Sequence, residues 1–186
     1  MTVGSSGAAD RASAGALSVA RGAEGVDAPW ARFACECFGP DGELKWREEF
    51  DNVVTTEGKQ LNLNVTFGAT AKPTWFVLLK GTGAAAAGHT LGTHAGWTEV
   101  AAYTGSRPTI SFGASTVFST TGAQVSNGTA ATFAINADNT VIAGAGVCTA
   151  ATGTTGTLYN IGDFASSRTM GNGDSLNVTV TLQQNP

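Results

Sequence analysis

Residues 30–38 read Trp30-Ala-Arg-Phe-Ala-Cys-Glu-Cys-Phe38 and alternate with period two. Arg32, Ala34 and Glu36 share one face, and Phe33, Cys35 and Cys37 share the other, as in a half-buried strand. Gly39-Pro-Asp-Gly42 follows. Pro fixes φ, Asp bonds the local backbone and Gly accepts positive φ, so this is a turn. Glu43-Leu-Lys-Trp-Arg-Glu-Glu-Phe50 then returns, with Leu44 and Trp46 inward and Glu43, Lys45 and Arg47 outward. A β-hairpin opens the ordered part of the chain.

Downstream the same grammar repeats. Thr74-Trp-Phe-Val-Leu-Leu79 is a near-continuous run of β-formers and predicts a central strand buried on both faces. A long Gly/Ala loop with a helical turn near Thr90 spans 81–96. Further strands are expected at 97–103, 108–112, 116–119, 129–136, 140–149, 157–159 and 176–182. Asp138-Asn139 and Gly171-Asn-Gly-Asp174 mark turns between them. Many short strands punctuated by turns predict an all-β chain. The expected form is an antiparallel β-sandwich or jelly-roll-like barrel with long Gly-rich loops. Residues 53–67 are ambiguous. Thr55 or Thr56 can cap a helix, yet Leu61-Asn-Leu-Asn-Val-Thr-Phe67 alternates. The expectation there is a short helical turn leading into an extended segment.

Residues 1–29 contain no aromatic side chain and few aliphatic ones. Such a stretch buries too little to offset its ordering entropy, so it reads as an N-terminal arm. Residues 30–186 then form a single domain.

Charge is sparse and uneven. Charged residues make up 13% of the 186, and the formal net charge is −4. Thirteen of them lie in residues 1–50, and only six in 81–186. With no basic run, dedicated binding to nucleic acid is excluded, because that affinity rests on Lys and Arg at phosphates. No apolar run is long enough for a transmembrane helix, and no signal peptide is visible. Three Cys cannot close a disulfide framework, and they read as small buried hydrophobes of a reducing compartment.

Chemistry-bearing patterns are scarce. His89 and His94 stand five apart, which splits them on helix or strand. His94-Ala-Gly-Trp97-Thr-Glu99 is the most distinctive polar cluster, read as a structural loop motif of His94, Trp97 and Glu99. There is no Gly-x-Ser-x-Gly elbow and no phosphate-binding loop. No catalytic residue, metal site or cofactor is expected.

Gly42-Glu-Leu-Lys-Trp46 with Asn52-Val-Val-Thr-Thr-Glu-Gly-Lys59 resembles a family of virion structural proteins of tailed bacteriophages. So do Gly88 to Glu99, Leu158-Tyr-Asn-Ile-Gly-Asp-Phe164 and Gly173-Asp-Ser-Leu-Asn-Val-Thr-Val180. The resemblance covers roughly residues 33–182. It implies a non-enzymatic particle component, a capsid decoration or cement protein made in the host bacterial cytoplasm and carried on the virion surface. Its partners would be the major capsid protein and neighbouring copies of itself, as dimer or trimer. Trp30, Arg32, Phe33, Lys45 and Arg47 are the candidate capsid contacts. The alternative is a tail-fibre or receptor-binding module, whose glycan site would use exposed aromatics such as Trp97 or Tyr103. A remote alternative is a glycan-active enzyme using Glu99 with Asp163.

Overall fold

In the computed structural model, residues 30–117 and 122–184 are described. The arm read over 1–29 lies outside them, as does the side chain of Trp30. The described residues form ten strands and one helix. In chain order these are β1 (Trp30–Phe38), β2 (Leu44–Val54), α1 (Thr56–Phe67), β3 (Trp75–Lys80), β4 (Thr109–Ile110) and β5 (Thr116–Val117). There follow β6 (Ala123–Ser126), β7 (Ala131–Ala134), β8 (Thr140–Cys148), β9 (Leu158–Met170) and β10 (Ser175–Gln184).

All pairings are antiparallel, in the order β4-β3-β8-β9-β2-β1-β10-β6-β5, with β7 also on β10. The sheet curls into a half-barrel. The all-β antiparallel class is as read from the sequence. Its two halves are joined through β2, which pairs with β1 over Leu44–Asp51 and with β9 over Asn52–Val54.

The hairpin forms as its pattern requires. Ala31, Phe33, Cys35 and Cys37 are buried while Arg32 is exposed. Gly42 takes φ 81°, the left-handed conformation the tight turn needs. Leu44, expected inward, is 54% exposed, because the register shift at Cys37/Phe38 detaches the first residue of β2 from the inner face. β3 is buried on both faces as predicted. Val77 and Leu79 join the main core with Phe33, Phe133 and Val178, and Leu78 joins a second cluster with Leu91, Trp97 and Ile161. Inside the main core Phe33 stacks on Phe50 at 5.0 Å, and Phe164 meets Phe50 edge-on at the same distance.

Helix α1 corrects the expectation of an extended 61–67. Thr55 caps it, its Oγ1 accepting from Gly58 N at 3.0 Å and donating to the Leu158 carbonyl. Glu57 in the first turn accepts from Leu91 N (3.2 Å) and Leu158 N (2.5 Å), tying the helix to β9 and to the Gly/Ala loop. That loop has no helical turn near Thr90, where Thr90 and Thr93 instead close a tight turn. The strand expected at 97–103 reduces to two isolated bridges, Lys80–Glu99 and Tyr103–Ile135. The one expected at 157–159 extends to Met170 as β9.

Between Gly144↔Asp163 and Ile142↔Arg168, two steps on β8 face five on β9, so β9 bulges. Glu48 of β2 fills the gap. Its Oε1 accepts from Ala165 N at 3.0 Å and its Oε2 from Arg168 Nη2 at 2.7 Å. A carboxylate thus replaces the ladder partner that the bulged backbone lacks.

Candidate functional site

Three regions compete for function: the hairpin face, the loop end of the sheet, and a cleft beside α1.

On the hairpin, the register sets Arg32 opposite Asp51 and Glu36 opposite Arg47. Arg32 pairs with Asp51 at 3.4 Å, and Arg47 pairs with Glu49 at 2.5 Å and Glu36 at 3.8 Å. Lys45 donates to both oxygens of the buried Asp174, at 2.8 and 3.1 Å, and pins the hairpin to the turn before β10. Its ammonium pKa is raised by that bond. Burial pushes the Asp174 carboxyl up, but Lys45 and the Gly171 N–H outweigh it and the net shift is downward. Arg32, Lys45 and Arg47 are therefore already matched within the chain. Phe33 is fully buried under Phe50, so it is a core residue and cannot be a surface contact of the folded chain. Of Trp30 the backbone alone is described, paired with Gln183.

At the loop end, Lys80 is fully buried, and it organises what the sequence showed as the His94/Trp97/Glu99 motif. Its Nζ donates to the carbonyls of Gly81 (2.9 Å) and Gly83 and pairs with Asp163 at 2.9 Å. The other Asp163 oxygen accepts from Ala85 N at 2.9 Å. Trp97 lies 6.0 Å from Nζ and donates its indole N–H to His89 Nδ1 at 3.1 Å. His94 stacks on the indole at 3.8 Å and donates from Nδ1 to the Trp97 carbonyl at 3.1 Å. Glu99 is held apart from this set. Arg107 grips it with two bonds, Nε at 2.7 Å and Nη2 at 2.5 Å, and spends its remaining reach on the Ala150 and Gly153 carbonyls. Glu99 and Asp163 each hold a separate cation. Trp97 and Tyr103 are 5% and 8% exposed, so neither presents a platform. Burial, with Glu99 nearby, pushes the Tyr103 phenol up to about 12. Among the described residues no group of three His, Cys, Asp or Glu is placed to hold a metal ion. Lys80, the centre of the cluster, escaped sequence reasoning because it stands outside the motif, and Asp163, which the sequence offers only as a partner for Glu99, pairs with Lys80 instead.

The cleft beside α1 gathers the accessible aromatic surface instead. Trp75 of β3 and Phe112 are half-buried at its wall, and Trp75 packs edge-on against Tyr159 at 5.1 Å. Asn62 of α1 and Gln183 of β10 lie further along. The Trp75/Phe112 end measures about 270 Å³, and an adjoining hollow of about 210 Å³, which shares Asn62, Val125 and Leu182 with it, reaches Gln124 and Gln183. Burial alone pushes the Tyr159 phenol up to about 12, so it stays a neutral hydroxyl.

Compared with known protein families, residues 54–183 match the family described as Podophage GP4 fiber I protein gp80. The chain belongs to this family. It is a bacteriophage virion structural protein. The gp80 match begins at the end of β2 and takes in α1 and every later strand to Gln183. It also turns the expected place in the particle from the capsid toward a fibre. No curated protein and no solved structure matches the chain.

Proposed function

We propose that this gp80-family chain is a tail-fibre or receptor-binding module of the phage particle, acting by contact and without turnover. The family match over 54–183 carries this reading. The physical character of the body supports it. Cations on the hairpin and loop end are matched by carboxylates or carbonyls within the chain, which leaves few free charges to bind an oppositely charged lattice. Loops anchored on a buried cation such as Lys80, paired with Asp163 and two carbonyls, feel salt less than loops held by fully exposed pairs. Neighbouring copies of the chain are the expected partners within the fibre.

The test is location and copy number. Antibody–gold labelling of intact virions should mark the tail or its fibres, and gel densitometry should give a handful of copies per particle. Labels spread over the capsid, with copies in the hundreds, would return the chain to capsid decoration.

A further inference from the structure

We infer that the cleft beside α1 is a binding site for an uncharged oligosaccharide. This rests on the fibre reading, which requires an external ligand.

The argument is the pairing of ring faces with amides. Trp75 and Phe112, both half-buried, supply aromatic surface on one side of the cleft, and the buried Tyr159 backs Trp75. Sugar rings present apolar C–H faces that lie against such rings, and burial of that surface is favourable. Asn62, Gln124 and Gln183 stand along the same trough. A carboxamide carries two donors and an acceptor, so it can satisfy hydroxyls that both give and accept.

One of these amides is visibly incomplete. Gln183 Nε2 donates to Gln124 Oε1 at 2.8 Å, while Gln183 Oε1 is buried with no hydrogen-bond partner. A buried acceptor left unmade loses the full cost of its desolvation. A hydroxyl donor entering with a small turn of the amide would complete it. Charge argues for a neutral ligand. Among the described residues no carboxylate lines the cleft, and the one cation there is Lys72, exposed at the rim. The two adjoining hollows, about 270 and 210 Å³, together suit a short stretch of chain, at the lower end of ligand sites of roughly 300–1,000 Å³. A second copy of the protein fits less well. A stable interface buries about 800 Å² per partner, and a narrow amide-walled trough does not offer that field.

The experiment uses the full chain. Saturation-transfer NMR is run against neutral oligomers of glucose, galactose, mannose and rhamnose, with sialyllactose and oligogalacturonate as acidic probes. At least one neutral oligomer should bind, with saturation transferred to its ring C–H protons. Asn62→Ala and Gln183→Ala should each weaken binding about five-fold, the worth of one neutral hydrogen bond. Trp75→Ala tests stacking, but the core packing of Trp75 makes the two amide variants the decisive ones. Their thermal midpoints confirm folding. Binding by acidic probes only, by none, or with unchanged affinity in both variants overturns the inference. So does self-association by sedimentation that the same variants abolish. Fibre location without sugar binding sinks this inference alone. Sugar binding by a chain found off the fibre sinks the fibre reading alone.

Discussion

Gly58 lies in the first turn of α1 with its Cβ position 2.1 Å from the Tyr159 carbonyl oxygen. Helix propensity alone favours Ala there by roughly 1 kcal/mol. The contact is backbone, which cannot swing away, so packing wins. Gly58→Ala should lower stability by about 1–3 kcal/mol in urea unfolding, the usual cost of overpacking. Asn64→Ala, on the exposed side of the same helix, should raise it by a few tenths. Glu48 is the other residue whose surroundings decide its role. Its hydrogen bond to Arg168, against a smaller opposing effect of burial, holds its carboxyl below the usual range. A depressed folded pKa means the stabilisation is complete above the unfolded value near 4.3 and is lost as pH falls through the folded one. Glu48→Gln should therefore cost about 1–2 kcal/mol at pH 7, the lower part of the charged-bond range because Arg168 is partly solvated. The gap to the parent should narrow as pH falls from 7 to 3. Urea midpoints at the two pH values check this, and a gap unchanged at pH 3 would show that shape, not charge, fills the bulge.

At the scale of elements, what was legible followed from period and turn chemistry acting together. The β1–β2 hairpin carries both, and Leu176, Val178 and Val180 of β10 fall inward as their alternation demands. Helix α1 shows where period misleads. Leu61 and Val65 are half-buried toward the body, while Leu63 and Phe67 are 58% and 85% exposed. A two-residue rhythm placed apolar groups on both sides of a helix, and the Thr55 cap and the fit of Gly58 against β9 settled the outcome. In β9 the polar run Ala165-Ser-Ser-Arg168 hid a strand, because its bulge is completed by a carboxylate from β2 that no local pattern reveals. The candidate sites divide likewise. The loop cluster was visible as His94, Trp97 and Glu99, yet Lys80 and Asp163 meet only through the β3–β8–β9 ladder. The cleft draws Asn62, Trp75, Tyr159 and Gln183 from four separate elements, so nothing in the chain order foreshadows it.

For the whole molecule, the family match and the fold divide the chain differently. The match starts at residue 54, but the sheet is not continuous without what precedes it. β1 pairs along its full length with β10 on one side and runs beside β2 on the other, so the hairpin is the seam between the two halves. It also delivers Phe33, Cys35, Cys37 and Phe50 to the core. Each large apolar side chain among these is worth roughly 1.5–3 kcal/mol on burial. Their joint loss, with two ladders left open, is comparable to the roughly 5–15 kcal/mol that holds a domain together. A chain beginning at residue 30 should unfold in a single cooperative thermal transition. One beginning at residue 55, which retains nearly all of the matched region, should show no cooperative transition and no dispersed amide spectrum. If the shorter chain folds, the two halves of the sheet must hold together without the seam, and the hairpin is then an addition to a complete family core.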